Sequence, residues 1–478
     1  MHSFAQLFRF GLARLACLLL PVTAFAAAAG QPNILFLFTD DQSFETIRAL
    51  GHTDIDTPNL DRLVARGTTF THTYNMGSWQ PAVCVASRTM LNTGRSLWDA
   101  QIAGKQLEAE HAAGRLWAQL LATAGYRTYM TGKWHLSVPP EKVFHVVRNV
   151  RGGMPRDTPE AYSRPQSGKP DAWSPSDPKW GGFWQGGKHW SEVGADDAVD
   201  FLQDSRKSAA PFFMYVAFNA PHDPRQSPAE YVRRYPPTRI AMPRNFLPEY
   251  PQNEGIGSGQ NLRDEKLGPF PRTEHAVKVH RGEYYASITH LDAQIGRVLD
   301  ALTASGKADH TWIFLTADHG LAVGHHGLFG KQNMYEHSLR VPFVVVGPGV
   351  AANRRIATPI YLQDVMPTTL ELAGIAPPAH VYFRSVLPHL RGKSSLPARA
   401  ETYAAYMEQQ RALLHDDYKL IVYPKIGVTR LYNLRSDPDE MIDLASNSTH
   451  ASRRRDLFAR LKQVQGQLGD PLDLGALR

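Results

Sequence analysis

The sequence predicts an α/β protein whose large, mostly parallel sheet is covered by helices on both faces. As far as Gly374, short apolar segments alternate with longer helical ones, the order expected of parallel strands joined by helices. The apolar segments are continuous rather than alternating, as expected of strands buried on both faces. The chain has 478 residues, enough for a large core, and shows no internal repeat.

The predicted elements have recognisable ends. Thr57 and Pro58 open the first helix and Gly67 closes it, and Gly125 and Gly374 end two later helices. The predicted strands are 33–38, 126–131, 212–218, 311–316 and 343–346, and the predicted helices are 58–66, 115–124, 195–203, 283–302 and 364–373.

Two segments interrupt this alternation. Residues 137–190 are rich in Gly, Pro, Ser and Trp, which predicts a long loop over a working surface. Residues 225–273 are rich in Pro and are also predicted to be loop. Beyond Gly374 we predict short antiparallel strands over 402–407, 411–414, 418–423 and 430–432, and an amphipathic helix over 453–468. The sequence therefore predicts a main domain over 27–375 and a smaller C-terminal α+β domain over 376–478.

The first 26 residues have the pattern of a cleavable secretion signal. Arg9 and Arg14 supply positive charge, residues 15–22 form a short apolar core, and 24–26 are a small-x-small cleavage site. This core is too short to cross a bilayer, and it continues past Cys17, which argues against a lipid site there. We expect an exported protein, periplasmic or else secreted, without a membrane segment after cleavage; an uncleaved anchor is the alternative.

The charge balance of the chain is mildly basic. The formal net charge is +7, or +5 without the two arginines of the signal. The basic residues are scattered, and no nucleic-acid motif is found, so we expect no nucleic-acid partner. A mildly basic surface suits an anionic substrate.

The sequence has two cysteines, and Cys17 lies within the predicted signal. The mature chain would keep Cys84 alone and form no internal disulfide. A short helix predicted over 87–92 places Cys84 at its N-terminal approach, where free N–H groups attract anions. Arg88, about one turn further on, faces the same point.

Three predicted strands end in polar clusters. The first runs into Asp40 and Asp41, the second leads to His222, and the third into Asp318 and His319. In open α/β sheets, ligands bind beyond the carboxyl ends of strands. One such Asp alone is more often a cap or a turn residue, but three carboxylates together form an oxygen shell suited to Ca²⁺ or Mg²⁺.

Further positive groups accompany these clusters. Lys133 and His135 are two residues apart after a predicted strand, and Lys331 follows a glycine-rich approach. Each of them alone is more often a structural or solvated residue. A metal, a nucleophile, one arginine, two lysines and several histidines together fit hydrolysis of an ester of a tetrahedral oxyanion.

Taken in order, these motifs resemble those of the type I sulfatase family, within the alkaline-phosphatase-like superfamily. One departure is visible, because the family pattern usually has proline where this chain has Ala86. The matching segments are DDQ at 40–42, CVASRTMLNTGR at 84–95, GKWHL at 132–136, NAPHDP at 219–224, TADHG at 316–320, GKQNMYEHSLRVPF at 330–343, QDVMPTTLELAG at 363–374 and LYNLRSDPDEMIDLA at 431–445.

The resemblance implies a sulfuric ester hydrolase in which a formylglycine-generating maturation enzyme converts Cys84 to Cα-formylglycine. One hydroxyl of the hydrated aldehyde attacks sulfur to form a sulfate ester, and the other expels sulfate. The implied metal is Ca²⁺, with Mg²⁺ possible, and its implied ligands are Asp40, Asp41, residue 84, Asp318 and His319. The implied roles are anion binding for Arg88 and Lys133, base for His135, and sulfate binding and leaving-group protonation for His222 and Lys331.

The substrate is less closely defined. Four of the nine tryptophans, Trp173, Trp180, Trp184 and Trp190, fall in 137–190, where their rings either stack on sugars or anchor the loop. Export and positive charge favour a sulfated carbohydrate over a smaller sulfate ester. The alternatives are a phosphate or phosphonate monoester hydrolase of the same superfamily, and a non-catalytic carbohydrate-binding protein with an unmodified cysteine.

Overall fold

The computed structural model of the protein describes residues 30–51, 54–156, 158–392 and 399–475. The predicted signal over 1–26, with Cys17, lies outside these residues. Within them, no helix has both the length and the apolar character needed to cross a membrane.

The strands are numbered in chain order. They are β1 (Asn33–Thr39), β2 (Thr68–Phe70), β3 (Thr73–Tyr74), β4 (Gly77–Ser78), β5 (Arg127–Lys133), β6 (Val146–Arg151), β7 (Trp184–Gln185), β8 (Lys188–His189), β9 (Phe212–Ala217), β10 (Thr311–Ala317), β11 (Arg340–Val341), β12 (Phe343–Val346), β13 (Arg354–Ile356), β14 (Ile360–Tyr361), β15 (Glu401–Tyr406), β16 (Gln410–His415), β17 (Tyr418–Tyr423) and β18 (Val428–Asn433).

The α-helices are numbered in the same way. They are α1 (Pro58–Arg66), α2 (Val83–Thr93), α3 (Leu97–Gly104), α4 (Leu107–Ala112), α5 (Trp117–Thr123), α6 (Trp190–Ser205), α7 (Ala229–Val232), α8 (Glu274–Ala304), α9 (Glu336–Leu339), α10 (Val365–Leu372), α11 (Leu387–Leu390) and α12 (Ala451–Gln467).

The main sheet has the strand order β13-β2-β12-β10-β1-β9-β5-β6. Strands β10, β1, β9, β5 and β6 are parallel neighbours, whereas β12 runs antiparallel to both β10 and β2. The predicted mostly parallel α/β fold is confirmed. The apolar pattern of 343–346 does not indicate whether this strand runs parallel or antiparallel to its neighbours, because a short buried strand has the same apolar sequence in either orientation.

Both faces of this sheet are covered. Phe36 and Phe38 of β1 pack on one side with Trp117 of α5, in the cluster that also holds residues of α10. The alternate residues Leu35 and Leu37 pack on the other side, in a second cluster with residues of α1, α6 and α8. Since successive side chains of a strand point to opposite faces, a strand buried on both sides must be continuously apolar, as β1 is.

A second sheet belongs to the C-terminal part of the chain. Strands β15 to β18 are antiparallel neighbours, and the short β4 adds to β15 in parallel. Helix α12 contributes Leu457 and Leu461 to the core of this sheet. The expected smaller unit with an antiparallel sheet is therefore present, while its boundary at 375/376 stays a prediction.

Three local expectations are wrong. Residues 137–190 are not all loop, because β6 pairs in parallel with β5 and β7 pairs with β8. The helix predicted over 283–302 begins earlier, at Glu274, where the Thr273 side chain accepts a hydrogen bond from the backbone N–H of Ala276. Helix α2 begins at Val83, so Cys84 lies in its first turn rather than before it.

Gly132, just before Lys133, is the position where the sheet requires glycine. Its φ is +89°, and a Cβ atom there would lie 1.8 Å from the carbonyl oxygen of Ala217 in β9. We expect Gly132→Ala to cost about 4 kcal/mol of folding free energy. Gly125→Ala is the control, since its φ is +87° with open space around it, and should cost about 1–2 kcal/mol. Equal melting temperatures for the two variants would contradict this steric argument.

Candidate active site

Four adjacent parallel strands bring their carboxyl ends to one edge of the main sheet. Asp40 follows β1, Asp318 follows β10, Lys133 ends β5, and His222 lies five residues beyond the end of β9. In the register of these strands, Thr39 lies opposite Ala317. The sheet therefore brings together groups that are distant in sequence, as the strand-end argument predicted.

Cys84 lies at the centre of this edge. Its side chain is 3% exposed, and helix α2 supplies it from the first turn. Its Sγ atom is 3.4 Å from Oδ1 of Asp40, 3.2 Å from Nε2 of His319 and 3.6 Å from Nζ of Lys331. The thiol thus contacts an acid, an imidazole and an ammonium group at once.

The acidic residues form a buried set of donors that fits a divalent cation. One ligand atom from each of Asp40, Cys84, Asp318 and His319 can be chosen so that all four lie within 4.8 Å of one another. Asp41 joins this set through its Oδ1, 3.2 Å from Nε2 of His319. Three fully buried carboxylates supply the hard oxygen ligands that Ca²⁺ and Mg²⁺ prefer.

Three buried cations face these carboxylates. Lys133 pairs with Asp40, Nζ of Lys331 lies 2.9 Å from both oxygens of Asp41, and Nε of Arg88 lies 3.2 Å from Oδ2 of Asp318. A buried charge is tolerated only when it is paired.

Arg88 also keeps an unused donor. Its Nη1 donates to the carbonyl of Lys133 at 2.8 Å, whereas its buried Nη2 makes no hydrogen bond within the described part of the chain. Nη2 lies 3.9 Å from Oδ1 of Asp40, an ion-pair distance without a hydrogen bond, so its N–H groups can still donate to an anion.

Burial and charge shift the pKa values of the central groups in opposite directions. Burial, followed by the negative charges of Asp318 and Cys84, raises the pKa of Asp40 well above its usual value. Burial would also raise the pKa of the Cys84 thiol, but Lys133, Lys331 and His319 together lower it well below its usual value. The surrounding cations thus favour the thiolate form of an unmodified cysteine at this position.

The pKa values of His319 and His135 are also shifted in opposite directions. Burial opposes protonation of His319, but Asp318 and Asp41 raise its pKa to about 9. Burial lowers the pKa of the half-buried His135. Its Nδ1 makes no hydrogen bond within the described part of the chain.

His222 and Lys331 form a pair at the opposite side of Cys84. Their Nε2 and Nζ atoms are 3.1 Å apart, and Nε2 of His222 lies 3.8 Å from Oδ2 of Asp41. The structure therefore brings the predicted site residues together at this edge of the sheet. These residues are Asp40, Asp41, Cys84, Arg88, Lys133, His135, His222, Asp318, His319 and Lys331.

Three charged residues around this pair were missed by the sequence analysis. His222 contacts Asp223, with Nδ1 2.7 Å from its carbonyl oxygen, and Arg263 pairs with both Asp223 and Asp264. Oδ2 of Asp264 lies 3.8 Å from Nζ of Lys331. Asp223 was detectable as the neighbour of His222, but Asp264 lies in an irregular Pro-rich segment without any periodic signal.

The tryptophans of 137–190 contribute mainly to packing. Trp173 is buried, and its ring stacks on that of Trp180 at 5.7 Å. The guanidinium of Arg151 lies 4.5 Å from the ring centre of Trp190. Trp173 therefore anchors this segment, whereas Trp180, Trp184 and Trp190 keep partly exposed rings.

A large sheet covered on both faces, with this polar cluster at its carboxyl edge, defines the alkaline-phosphatase-like class of hydrolases. A sequence model of the family described as Sulfatase matches residues 32–375. A second, described as N-sulphoglucosamine sulphohydrolase, C-terminal, matches residues 324–467. The chain belongs to the sulfatase family, and the expected sulfuric ester hydrolase is confirmed.

A relative and two solved structures resemble this chain over most of its length. N-acetylglucosamine-6-O-sulfatase of Bacteroides thetaiotaomicron is 25% identical over 534 residues, covering 95% of this chain and 91% of that protein. A protein solved in complex with its substrate D-glucosamine-2-N,6-O-disulfate matches with a TM-score of 0.70 at 23% identity, over 93% of this chain and 100% of that one. Phosphonate monoester hydrolase of Agrobacterium radiobacter matches with a TM-score of 0.69 at 20% identity, over 91% and 96%. These two structural likenesses show the fold alone.

Proposed function

We propose that this protein removes sulfate from a sulfated carbohydrate, with Cys84 converted to Cα-formylglycine as the nucleophile. The observation that carries the proposal is the position of Cys84. Its Sγ atom lies within contact distance of Asp40, His319 and Lys331, in a pocket that Lys133 and Arg88 complete.

The converted residue needs groups that orient it and move its protons. A hydrated formylglycine supplies two hydroxyls on one carbon, one for attack on sulfur and one for release of sulfate. Burial lowers the pKa of His135, and its Nδ1 makes no hydrogen bond among the described residues, so we assign it to accepting the proton of the second hydroxyl. The free Nη2 of Arg88 and the ammonium of Lys133 hold the anion.

A divalent cation belongs at the acidic set. Asp40, Asp41, Asp318 and His319 would hold it, together with residue 84. When bound, Ca²⁺, or Mg²⁺ in its place, neutralises the clustered carboxylates and polarises an oxygen of the sulfate group. Without that charge, the three acids rely on Lys133, Lys331, Arg88 and His319.

His222 and Lys331 are suited to the leaving-group side. Both lie beside Cys84 and Asp41, and their nitrogens point at each other across 3.1 Å. We assign them to binding the sulfate group and to protonating the alkoxide that departs. Arg263, Asp223 and Asp264 hold this pair in position.

A sulfated sugar is the substrate class that we favour. A relative named N-acetylglucosamine-6-O-sulfatase and a structural neighbour solved with a glucosamine disulfate support it. Trp180 and Trp184 lie on the segment that precedes α6, Trp190 begins that helix, and all three residues are partly exposed. We propose that the exposed parts of their rings contact the sugar. We also propose that the protein is exported, periplasmic or secreted, and that a formylglycine-generating enzyme matures it.

The second candidate is hydrolysis of phosphonate or phosphate monoesters. A phosphonate monoester hydrolase matches the fold as well as the sugar-bound neighbour does, with TM-scores of 0.69 and 0.70. The fold therefore does not separate the two chemistries.

Rates on matched esters separate them. We expect purified, matured enzyme to hydrolyse 4-nitrophenyl sulfate at least about 100-fold faster, in kcat/KM, than phenyl 4-nitrophenylphosphonate, a difference of about 2.7 kcal/mol in transition-state binding. A panel of sulfated mono- and disaccharides then defines the sugar. A higher kcat/KM on the phosphonate would contradict the proposed function.

A further inference from the structure

Lys331 is held by side chains rather than by regular structure. Residues 330–335 belong to no helix or strand, yet Lys331 is only 5% exposed. A lysine side chain loses much of its rotamer entropy when it is fixed. The contacts that fix its backbone therefore decide whether its ammonium group stays beside Asp41 and Cys84.

The side chain of Gln332 connects the backbone of Lys331 to its surroundings. Its Oε1 accepts a hydrogen bond from the backbone N–H of Lys331 at 3.0 Å. Its Nε2 donates to Oδ2 of Asp264 at 2.8 Å and to the carbonyl of Pro81, just before helix α2, at 3.1 Å. One buried amide thus joins Lys331, the acid next to it and the start of the helix that carries Cys84.

Gln410 continues this connection into the C-terminal sheet. It is the first residue of β16 and is fully buried. Its Nε2 donates to the carbonyl of Gln332 at 2.7 Å and to that of Ile256 at 2.6 Å. The hydroxyl of Ser258 donates to the same Gln332 carbonyl at 2.7 Å.

We propose that Gln332 and Gln410 are positioning residues, through which the C-terminal sheet holds Lys331 beside Asp41 and Cys84. This proposal rests on the proposed function in one respect, which is that Lys331 takes part in turnover. It predicts that the C-terminal sheet is required for activity, although each residue assigned to the chemistry precedes it in the chain.

The test is a double-mutant cycle with Lys331. Methionine is close in size to glutamine but makes none of these hydrogen bonds. We expect Gln410→Met and Gln332→Met each to lower kcat about 10- to 100-fold, the cost of a misplacement near 1 Å, with KM changed less than about threefold. In a Lys331→Ala background, Gln410→Met should change kcat less than about twofold, because residues that act through one group are not additive.

Gln363→Met is the matched control, since Gln363 is equally buried and its amide has no partner among the described residues. It should leave kcat unchanged. A crystal structure of the Gln410→Met variant should show Nζ of Lys331 displaced from Asp41. The proposal would be overturned if Gln410→Met lowered kcat equally in both backgrounds. It would also be overturned if Gln410→Met lost turnover while its crystal structure showed Nζ of Lys331 still beside Asp41. Each kcat is compared with that of the unsubstituted enzyme, on whichever ester that enzyme hydrolyses. If the sulfate assignment is wrong, the unsubstituted enzyme shows it by its ester preference, independently of the variants.

Discussion

Cys84→Ala is expected to lower kcat/KM by at least about 10⁴-fold while the protein stays folded, the scale of loss seen when a nucleophile is removed. The reason is that no neighbouring group has the position to replace it. The contacts of residue 84 are acids, which repel an anionic ester, and cations and imidazoles, which bind it or move protons.

Stability should change little, because cysteine and alanine differ by one sulfur atom and the cavity left behind costs about 1 kcal/mol. Melting temperature is therefore the control for folding. Peptide mass spectrometry of the unsubstituted enzyme from its native host gives the companion measurement. Conversion to formylglycine lowers the mass of the Cys84 peptide by about 18 Da. Turnover by Cys84→Ala, or a peptide that carries only the thiol in active enzyme, would refute the nucleophile.

Asp318→Asn is expected to weaken Ca²⁺ binding by at least about 100-fold and to lower turnover at least as much, since a ligand matters more than the outer groups that orient it. Oδ1 of Asp318 also accepts hydrogen bonds from the backbone N–H groups of Asp41 at 3.2 Å and His319 at 3.0 Å. The substitution therefore removes a ligand charge and loosens two neighbouring ligands.

Calorimetry and melting curves with and without Ca²⁺ measure this effect. A cation that binds only the folded protein stabilises it by about 2.7 kcal/mol at 100 times its Kd, and Asp318→Asn should lose this gain. Asp292→Asn is the control, because Asp292 is equally buried but contacts Asn59 and Leu60 on α1. An unchanged Ca²⁺ response in Asp318→Asn would remove Asp318 from the metal site.

The sequence was sufficient for the central part of the site because its residues follow buried parallel strands. Asp40 and Asp318 had to meet once β1 and β10 were neighbours, and the continuous apolar runs that predict those strands are unambiguous. The same argument places Lys133 at this edge of the sheet, because it is the last residue of β5.

Other parts of the site could not be predicted in this way. Asp264, Gln332 and Gln410 meet through irregular segments and a strand of another sheet, and no period in the sequence relates them. Strand β6 was not predicted, because it lies at the sheet edge and within a segment whose overall composition is typical of a loop. The pairing of β4 with β15 joins residues more than 300 positions apart, which local sequence patterns do not encode.

That pairing has a consequence for the order of events during synthesis. The backbone N–H groups of Ala405 and Met407 donate to the carbonyls of Met76 and Ser78, so the segment that leads into helix α2 gains its partner only after residues 401–407 have been made. Until then the carbonyls of Met76 and Ser78 lack these two backbone hydrogen bonds. The approach to helix α2 is therefore completed late, only when the C-terminal strands arrive.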